Sequence, residues 1–442
     1  MKFKNAVRNE FNKCDTPDST LLRIKSGFER LGYPPVWAPV TVTDTLFWGR
    51  IWIDDLKILC EGKGVSAPLA EASAHAELAE RFSAGLYYPV FEEQVRFHLP
   101  AIYGTRTNDF LNYAWLPGYV RARQNEVERP LTVESLLAGQ THLGRETIDA
   151  LKGCEMTAHW VDGYSLLLDQ TVKVPIKFAA YIHGSNGVAA GNTIEEAMLQ
   201  AGAEILERHA QINIVKNEIV APTIDPAGIE IPLIRRMMDF FSRSNVRVTI
   251  KDLSDNGARP VVGVLFTNNN LSPDCMEYNT LIAGASFNPG EALARCFTEG
   301  IQGKETLTAP RKAFNRPVIP DNRVKDYYSL MKCGVSPKDI SFLHQGDTVP
   351  FPHWHKKDII GEIEGLKQIV RDLGTDCILV DLTHPVLQFP VVRVIIPGIS
   401  DFLDYLPPDI LTDPKTSPIT AWKGENFKTV MGTFFRSCPS RK

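Results

Sequence analysis

The chain is 442 residues long, with hydrophobic residues at 44% and charged residues at 23%, ordinary globular usage that excludes disordered, fibrous and coiled-coil classes. That length can bury a large core, as two or three domain-sized units or one extended enzyme. With 48 basic residues against 52 acidic ones the net charge is -4, so no large positive field exists to attract a phosphate backbone, and nucleic acid is excluded as an expected partner.

The start, MKFKNAVRNEF, lacks the apolar h-region of a signal peptide, and no run approaches the ~18 consecutive apolar residues of a membrane helix. A cytoplasmic protein with no membrane partner is expected. Next comes KILCEGKGVSAPLAEASAHAELAERFS, which reads as strand, glycine-rich turn and helix. The stretch from Arg121 to Glu146 is loop-heavy. AAYIHGSNGVAAGNTIEEAMLQAGAEILERHA repeats the strand, turn and helix plan. RVTIKDL and PVVGVLF are strands, and TLIAGASFNPGEALARCFTEGIQGK gives the plan a third time. Pro310 to Asp326 is an irregular connection, DCILVDL and PVVRVIIPG are late strands, and the tail after Pro407 is a surface segment. A mixed α/β chain follows, not divisible into independent domains. Eight cysteines (14, 60, 154, 275, 296, 333, 377 and 438) form no CxxC and read as reduced thiols.

The three repeated helices carry the chemistry. Ser66, Thr193 and Asn288 are suitable N-caps, Pro68 and Pro289 fit first turns, and Glu196 after Thr193 spells a capping box. Eleven residues beyond each cap stand Glu77, Glu204 and Glu299; fourteen beyond stand Glu80, Glu207 and Gln302. Residues three apart share a helix face, so Glu77 with Glu80 and Glu204 with Glu207 form carboxylate pairs, each followed by an arginine, Arg81 or Arg208. The first helix is Ala- and Leu-rich nearly all round, so its glutamates should be internal. Like charges ~4 Å apart at an effective dielectric of about 20 repel by roughly 4 kcal/mol, so converging carboxylates need protons or cations. Mg2+ is the natural hard-oxygen partner, and Arg81, Arg208 and Arg295 are suited to phosphate, which together describe a nucleoside triphosphate site. One ExxER alone would be a solvated helix face; three copies in register favour a site. Internal salt bridges with the arginines are the structural alternative. No GxxxxGK[ST], kinase motif set or dinucleotide fingerprint occurs.

GKG with AELAERFSAG, SNGVAAGNTIEEAMLQAGAEILER and NPGEALARCFTEGIQGK closely resemble the signature blocks of YcaO-domain proteins, and DCILVDLTHPVLQFPVVRVIIPGISD resembles the family's late strand segment. The resemblance implies an α/β YcaO-type ATP-binding fold, built from strand, Gly-turn and helix units around mixed β-sheets, often as a homodimer. It implies residues 1–60 contributing to the nucleotide site, a catalytic core over 61–406 and a tail over 407–442. Carried over, Glu77, Glu80, Glu204, Glu207 and Glu299 fall on Mg2+-binding glutamates, Arg208 and Arg295 on phosphate-contacting arginines, and Asn192 and Glu196 on further nucleotide contacts. Lys13 and Thr20 fall on an N-terminal nucleotide-contacting pair. Ala189 stands where some members carry a nucleotide-contacting serine, and Thr20 where some carry serine. Glu204, Glu207, Arg208 and Arg295 are the expected catalytic set, with ATP and Mg2+ as cofactors.

The resemblance further implies ATP-dependent activation of a peptide-backbone amide oxygen, in a peptide or protein substrate, for attack by a nucleophile: a side chain gives an azoline, sulfide a thioamide, an amine an amidine. Azoline-forming members usually end in a PxPxP tail, whereas this chain ends FFRSCPSRK. It also lacks the helical extension of the ribosomal-protein methylthiotransfer accessory factors. The thioamide-forming branch, with a TfuA-like partner and a sulfur donor, is therefore the expectation. A non-catalytic nucleotide-binding scaffold of a sulfur-transfer complex is the alternative of a different class. His353 and His355 in PHWH share one strand face without a completing ligand, Cys438 is a candidate sulfur relay, and His209 a candidate for proton transfer.

Overall fold

The computed structural model describes residues 2–9, 12–54, 58–85, 113–273, 278–302, 340–356 and 358–401. The expected tail with Cys438 and the Pro310 to Asp326 connection lie outside them. Among the described residues the cysteines, Cys14, Cys60, Cys154, Cys296 and Cys377, are free thiols.

Three sheets form the frame. The first is antiparallel, β1 (Val36–Thr41), β2 (Phe47–Ile53) and β3 (Ile58–Gly64) in that order. The second orders β11 (Asn279–Ala285), β10 (Val261–Asn268), β9 (Val246–Asp252), β8 (Thr223–Ile224) and β12 (Thr348–Val349), with β8 and β12 parallel and the rest antiparallel. The third orders β4 (Val120–Arg121), β5 (His159–Ser165), β13 (Ile378–Asp381), β14 (Val391–Ile395) and β7 (Val188–Ala190), and β6 (Gln170–Pro175) pairs β5. Runs such as VVGVLFTN are apolar on both faces because both faces of β10 are covered, and every residue of that strand is buried. β2 instead alternates, burying Ile51 and Ile53 and exposing Arg50.

The helices are α1 (Pro17–Leu31), α2 (Ala67–Ala84), α3 (Val133–Leu136), α4 (Arg145–Lys152), α5 (Ile176–His183), α6 (Ile194–Lys216), α7 (Pro232–Arg243), α8 (Pro289–Ile301) and α9 (Ile359–Asp372). α2 packs on β3, β2 and α1, while α8 packs on β11 and β10. α6 lies between β14 and β7 of one sheet and β11 of another, so it is the central helix, and its buried residues fall on all sides. Phe241 of α7, Phe266 of β10 and Phe297 of α8 meet ring to ring, with centroids 4.8 to 6.0 Å apart, and seal the core beneath α8.

The repeated plan holds for the first and third units, β3 to α2 and β11 to α8. It departs in the second, where AAYIH belongs to helix α5 and only Val188–Ala190 is strand. Gly184, at φ 55 and ψ -128, ends α5 in a conformation closed to side-chain-bearing residues, and the chain then re-enters the sheet beside β14. His353 and His355 lie in coil, both exposed, rather than on a strand, and among the described residues no metal-ligating cluster forms around them.

Candidate functional site

The three N-caps form as the sequence predicts. Ser66 Oγ accepts the Leu69 N–H, Thr193 Oγ1 the Glu196 N–H, and Asn288 Oδ1 the Gly290 and Glu291 N–H groups. Beneath each helix a glycine lets the strand or turn approach the residue four beyond the cap. A Cβ on Gly62 would stand 2.3 Å from Ala70 O, one on Gly191 2.5 Å from Ala197 N, and one on Gly284 2.1 Å from Ala292 O. These close approaches fix the height of each helix over its support, and with it the position of the glutamates two and three turns further on.

The glutamates meet. On α2, Arg81 reaches Glu77 at 3.4 Å and Glu80 at 3.6 Å; on α6, Arg208 Nε donates to Glu204 at 3.0 Å. Arg295 crosses from α8 to Glu207 of α6 at 3.7 Å, and Lys63 of β3 pairs with Glu299 of α8. α8 ends at Ile301, so Gln302 is its C-cap, and the Gln302 Nε2 group donates to Glu61 O at 3.2 Å. Burial pushes the Glu80 carboxyl up to about 8; repulsion from Glu204 and Glu77 adds to this, while Arg81 and Arg393 oppose it. Burial also raises Glu77 and Glu207 against the attraction of Arg81 and Lys63 for the first and of Arg295, Arg208 and Lys63 for the second. Carboxylates from all three helices are thus one electrostatic cluster.

The N-terminal residues dock beside it. The Thr20 hydroxyl lies 2.7 Å from Asn192 Oδ1, and Arg23 donates to Asn192 O at 3.1 Å. Glu196 does not fold back on its cap as the capping box predicts: its carboxylate accepts the Cys14 N–H at 2.7 Å and faces Asn192 Nδ2. Burial alone would raise Glu196, but Lys13, the Cys14 N–H and thiol and Arg8 hold it below the ordinary carboxylate range. Lys13, Thr20, Asn192 and Glu196 are therefore brought together. Ala189 is 2% exposed, pairs with Val392 across β7 and β14 and belongs to the central core. His209 stands apart. Burial and Arg259 push it down to about 4, and it lines a cavity of about 200 Å³ with Gln140, Asn213, Lys216 and Asp401, a wall that includes none of the five glutamates.

As they stand, the carboxylates are held by arginine and lysine, and among the described residues no three metal-ligating side chains surround one point. The internal salt bridges foreseen from the sequence do form. The donor set nevertheless fits Mg2+ and a polyphosphate: the ligand atoms are all carboxylate oxygens, several of them buried and mutually repelling, and Arg295 Nε is buried without an acceptor. Sequence reasoning missed Lys63, Glu61 and Gln200, whose Oε1 accepts from Arg295 at 2.5 Å. Strand alternation would have put residues 61 and 63 on one face, but GKG was read for its glycines alone.

Fold and site define an α/β protein whose three acidic helices bring carboxylates and arginines into one cluster, with the N-terminal segment docked on the start of α6 through Asn192 and Glu196. The chain belongs to the YcaO family: residues 61–400 match the family described as YcaO cyclodehydratase, ATP- and Mg2+-binding, and membership assigns ATP and Mg2+ as the cofactors. It is 25% identical over 354 residues to the ribosomal protein S12 methylthiotransferase accessory factor YcaO of Escherichia coli K12, covering 77% of this chain and 57% of the relative. It is 26% identical over 261 residues to an uncharacterized protein in the tfuA 3′ region of Rhizobium leguminosarum bv. trifolii, covering 54% of this chain and 60% of the relative. The chain thus spans somewhat over half the length of these two curated relatives. Among solved structures, a heterocyclase in complex with substrate and cofactor matches at TM-score 0.67 and 19% identity, covering 91% of this chain and 55% of the other. YcaO from Methanopyrus kandleri bound with AMPPCP and Mg2+ matches at TM-score 0.60 and 19% identity, covering 90% and 95%. These neighbours establish the fold. Among the described residues no helix is long and apolar enough to cross a membrane.

Proposed function

We propose that this chain holds Mg-ATP among Glu77, Glu80, Glu204, Glu207 and Glu299 and activates a peptide-backbone amide oxygen for attack by a nucleophile, sulfide giving a thioamide. The observation that carries the reading is the convergence of those glutamates from α2, α6 and α8, with Arg208 and Arg295 at their edge. Bound Mg-ATP supplies the phosphoryl group that turns a poor leaving group, the amide oxygen, into a good one. The glutamates would hold the divalent charge, Arg208 and Arg295 would take phosphate oxygens, and Lys13, Thr20, Asn192 and Glu196 would contact the nucleotide, with Ala189 offering backbone only. Residues 1–60 complete this site, 61–406 form the core, and a homodimer is the working unit. The choice of sulfide is supported by the relative encoded in the tfuA 3′ region, which makes a TfuA-like protein and a sulfur donor the partners to try.

Calorimetric titration of a nonhydrolysable ATP analogue into wild type and Glu204→Gln, with and without Mg2+, tests the site. Binding that needs Mg2+ and is lost in the variant is expected; absence of binding in wild type sinks the reading. With peptide, sulfide and partner, mass spectrometry then separates thioamide, heavier because sulfur replaces oxygen, from azoline, lighter by one water. ATP binding without substrate-dependent hydrolysis would instead mark a scaffold.

A further inference from the structure

We infer that Arg8 is a positioning residue for the nucleotide end of the site: its guanidinium ties the N-terminal arm to α9 and so holds Lys13 beside Glu196. Arg8 acts through Asn12 and Glu362 rather than on the nucleotide. This inference rests on the nucleotide reading above.

Three observations carry it. First, Arg8 holds two distant acceptors at once. Its Nη1 donates to Asn12 O at 2.7 Å, and its Nη2 pairs with Glu362 in the first turn of α9, where the two side chains are 14% and 6% exposed. Glu291 and Glu196 attract the same charge. A planar guanidinium serves two acceptors in fixed directions, so α9 sets the position of Asn12. Second, the chain between Arg8 and the site is closed into a turn. The Asn9 N–H donates to Lys13 O at 2.7 Å, Asn9 Oδ1 accepts the Lys13 N–H at 3.0 Å, and Asn9 Nδ2 donates to Asp15 O at 2.8 Å. Asn12, at φ 59, sits in the left-handed region that asparagine tolerates, and its amide donates to Glu291 in the first turn of α8. Lys13 therefore moves with Arg8 as one piece. Third, that piece lands on α6. The next residue, Cys14, donates its N–H to Glu196 at 2.7 Å, and Thr16 caps α1, whose Thr20 faces Asn192. One arm thus binds the starts of α6, α8 and α9, and through it the helices that carry Glu204 and Glu299 are tied to α9, which carries none of the site's residues.

Calorimetric titration of a nonhydrolysable ATP analogue with Mg2+ into the full chain reads the role. Arg8→Gln removes the charge and the fork and should weaken binding about tenfold or more, the scale of one charge-assisted hydrogen bond. Arg8→Gln combined with Lys13→Met should bind within about twofold of Lys13→Met alone, because a residue that acts through Lys13 then has nothing left to position. Asn5→Ala removes an exposed contact of the same arm, 3.2 Å to Asp358, on the far side of Arg8 from Lys13, and should bind as wild type does. Arg8→Lys keeps the charge beside Glu362 without the fork, so it should fold and still bind more weakly; it takes the place of Arg8→Gln in both comparisons should that variant not fold. Wild-type affinity in the Arg8 variant overturns the role. So do losses that add fully in the double variant, or a loss in Asn5→Ala as large as that of Arg8→Gln, either of which marks Arg8 as a structural contact only. Absence of nucleotide binding by wild type overturns the nucleotide reading and this inference with it.

Discussion

Gly62→Ala tests whether the close approach of β3 and α2 sets the site. The new methyl would stand 2.3 Å from Ala70 O and Ala74 N and 2.5 Å from Ala74 Cβ, against ordinary contact of 3.4 to 4 Å, so the helix must lift by about 1 Å. Two of these atoms are backbone and cannot rotate away. Overpacking of this size costs ~1–3 kcal/mol, offset by the roughly 0.5–1 kcal/mol that alanine recovers by restricting the unfolded chain. The lift carries Glu77 and Glu80 with it, and a displacement near 1 Å at a reacting geometry can cost up to ~100-fold. Urea unfolding should therefore show a loss of about 1–2 kcal/mol, and nucleotide titration a weakening well beyond that loss. Gly228→Ala is the control, since a Cβ there meets nothing within 4 Å, and it should be neutral or slightly stabilising. A Gly62→Ala protein equal to wild type in urea and in nucleotide affinity would refute the argument that this glycine positions the acidic helix.

Thr20→Val keeps shape but removes the donor that Asn192 Oδ1 accepts at 2.7 Å in a buried place; a loss of ~1–3 kcal/mol in urea unfolding and a weaker nucleotide titration are expected. Lys251, fully buried between Thr223 Oγ1 at 2.8 Å and Gln345 O at 2.6 Å, is pushed down by burial to about 8 from the ordinary 10.5. Between these values the unfolded chain holds the proton and the folded one does not, so stability rises with pH across that window, by at most about 3 kcal/mol. The stability of wild type relative to Lys251→Met should accordingly rise from pH 7.5 to pH 10; a constant difference would show that burial of this charge carries no such cost.

The helices were legible because their signals are local. Ser66, Thr193 and Asn288 cap as their side chains allow, and a count from each cap placed Glu77, Glu204 and Glu299 at equivalent turns. The strands under the first and third units were legible from apolar runs. The second misled because AAYIH is apolar in either state, and what decides is the turn at Gly184 and the pairing of β7 with β14, a contact far along the chain. Glu196 misled for a similar reason. Thr193 followed by Glu196 spells a local cap, but the competing donor, the Cys14 N–H, arrives from 182 residues away. Lys63 escaped notice because its partner, Glu299, lies on α8, far along the chain.

The same pairing keeps the acidic cluster folded. Five glutamates in a partly dry cluster would repel by several kcal/mol if left alone, enough to compete with the stability of an ordinary domain. Each instead has a cation within reach: Arg81 for the first pair, Arg208 and Arg295 for the second, Lys63 for Glu299. The salt bridges and the proposed metal site draw on the same charges, so the one does not argue against the other. The arginines that neutralise the helices are the groups a polyphosphate would draw outward, and the carboxylates they would release are the ones a divalent ion would take up. Loading the site costs the protein its internal pairs and returns ligand pairs of the same kind, so nucleotide and metal should bind together more tightly than either does alone.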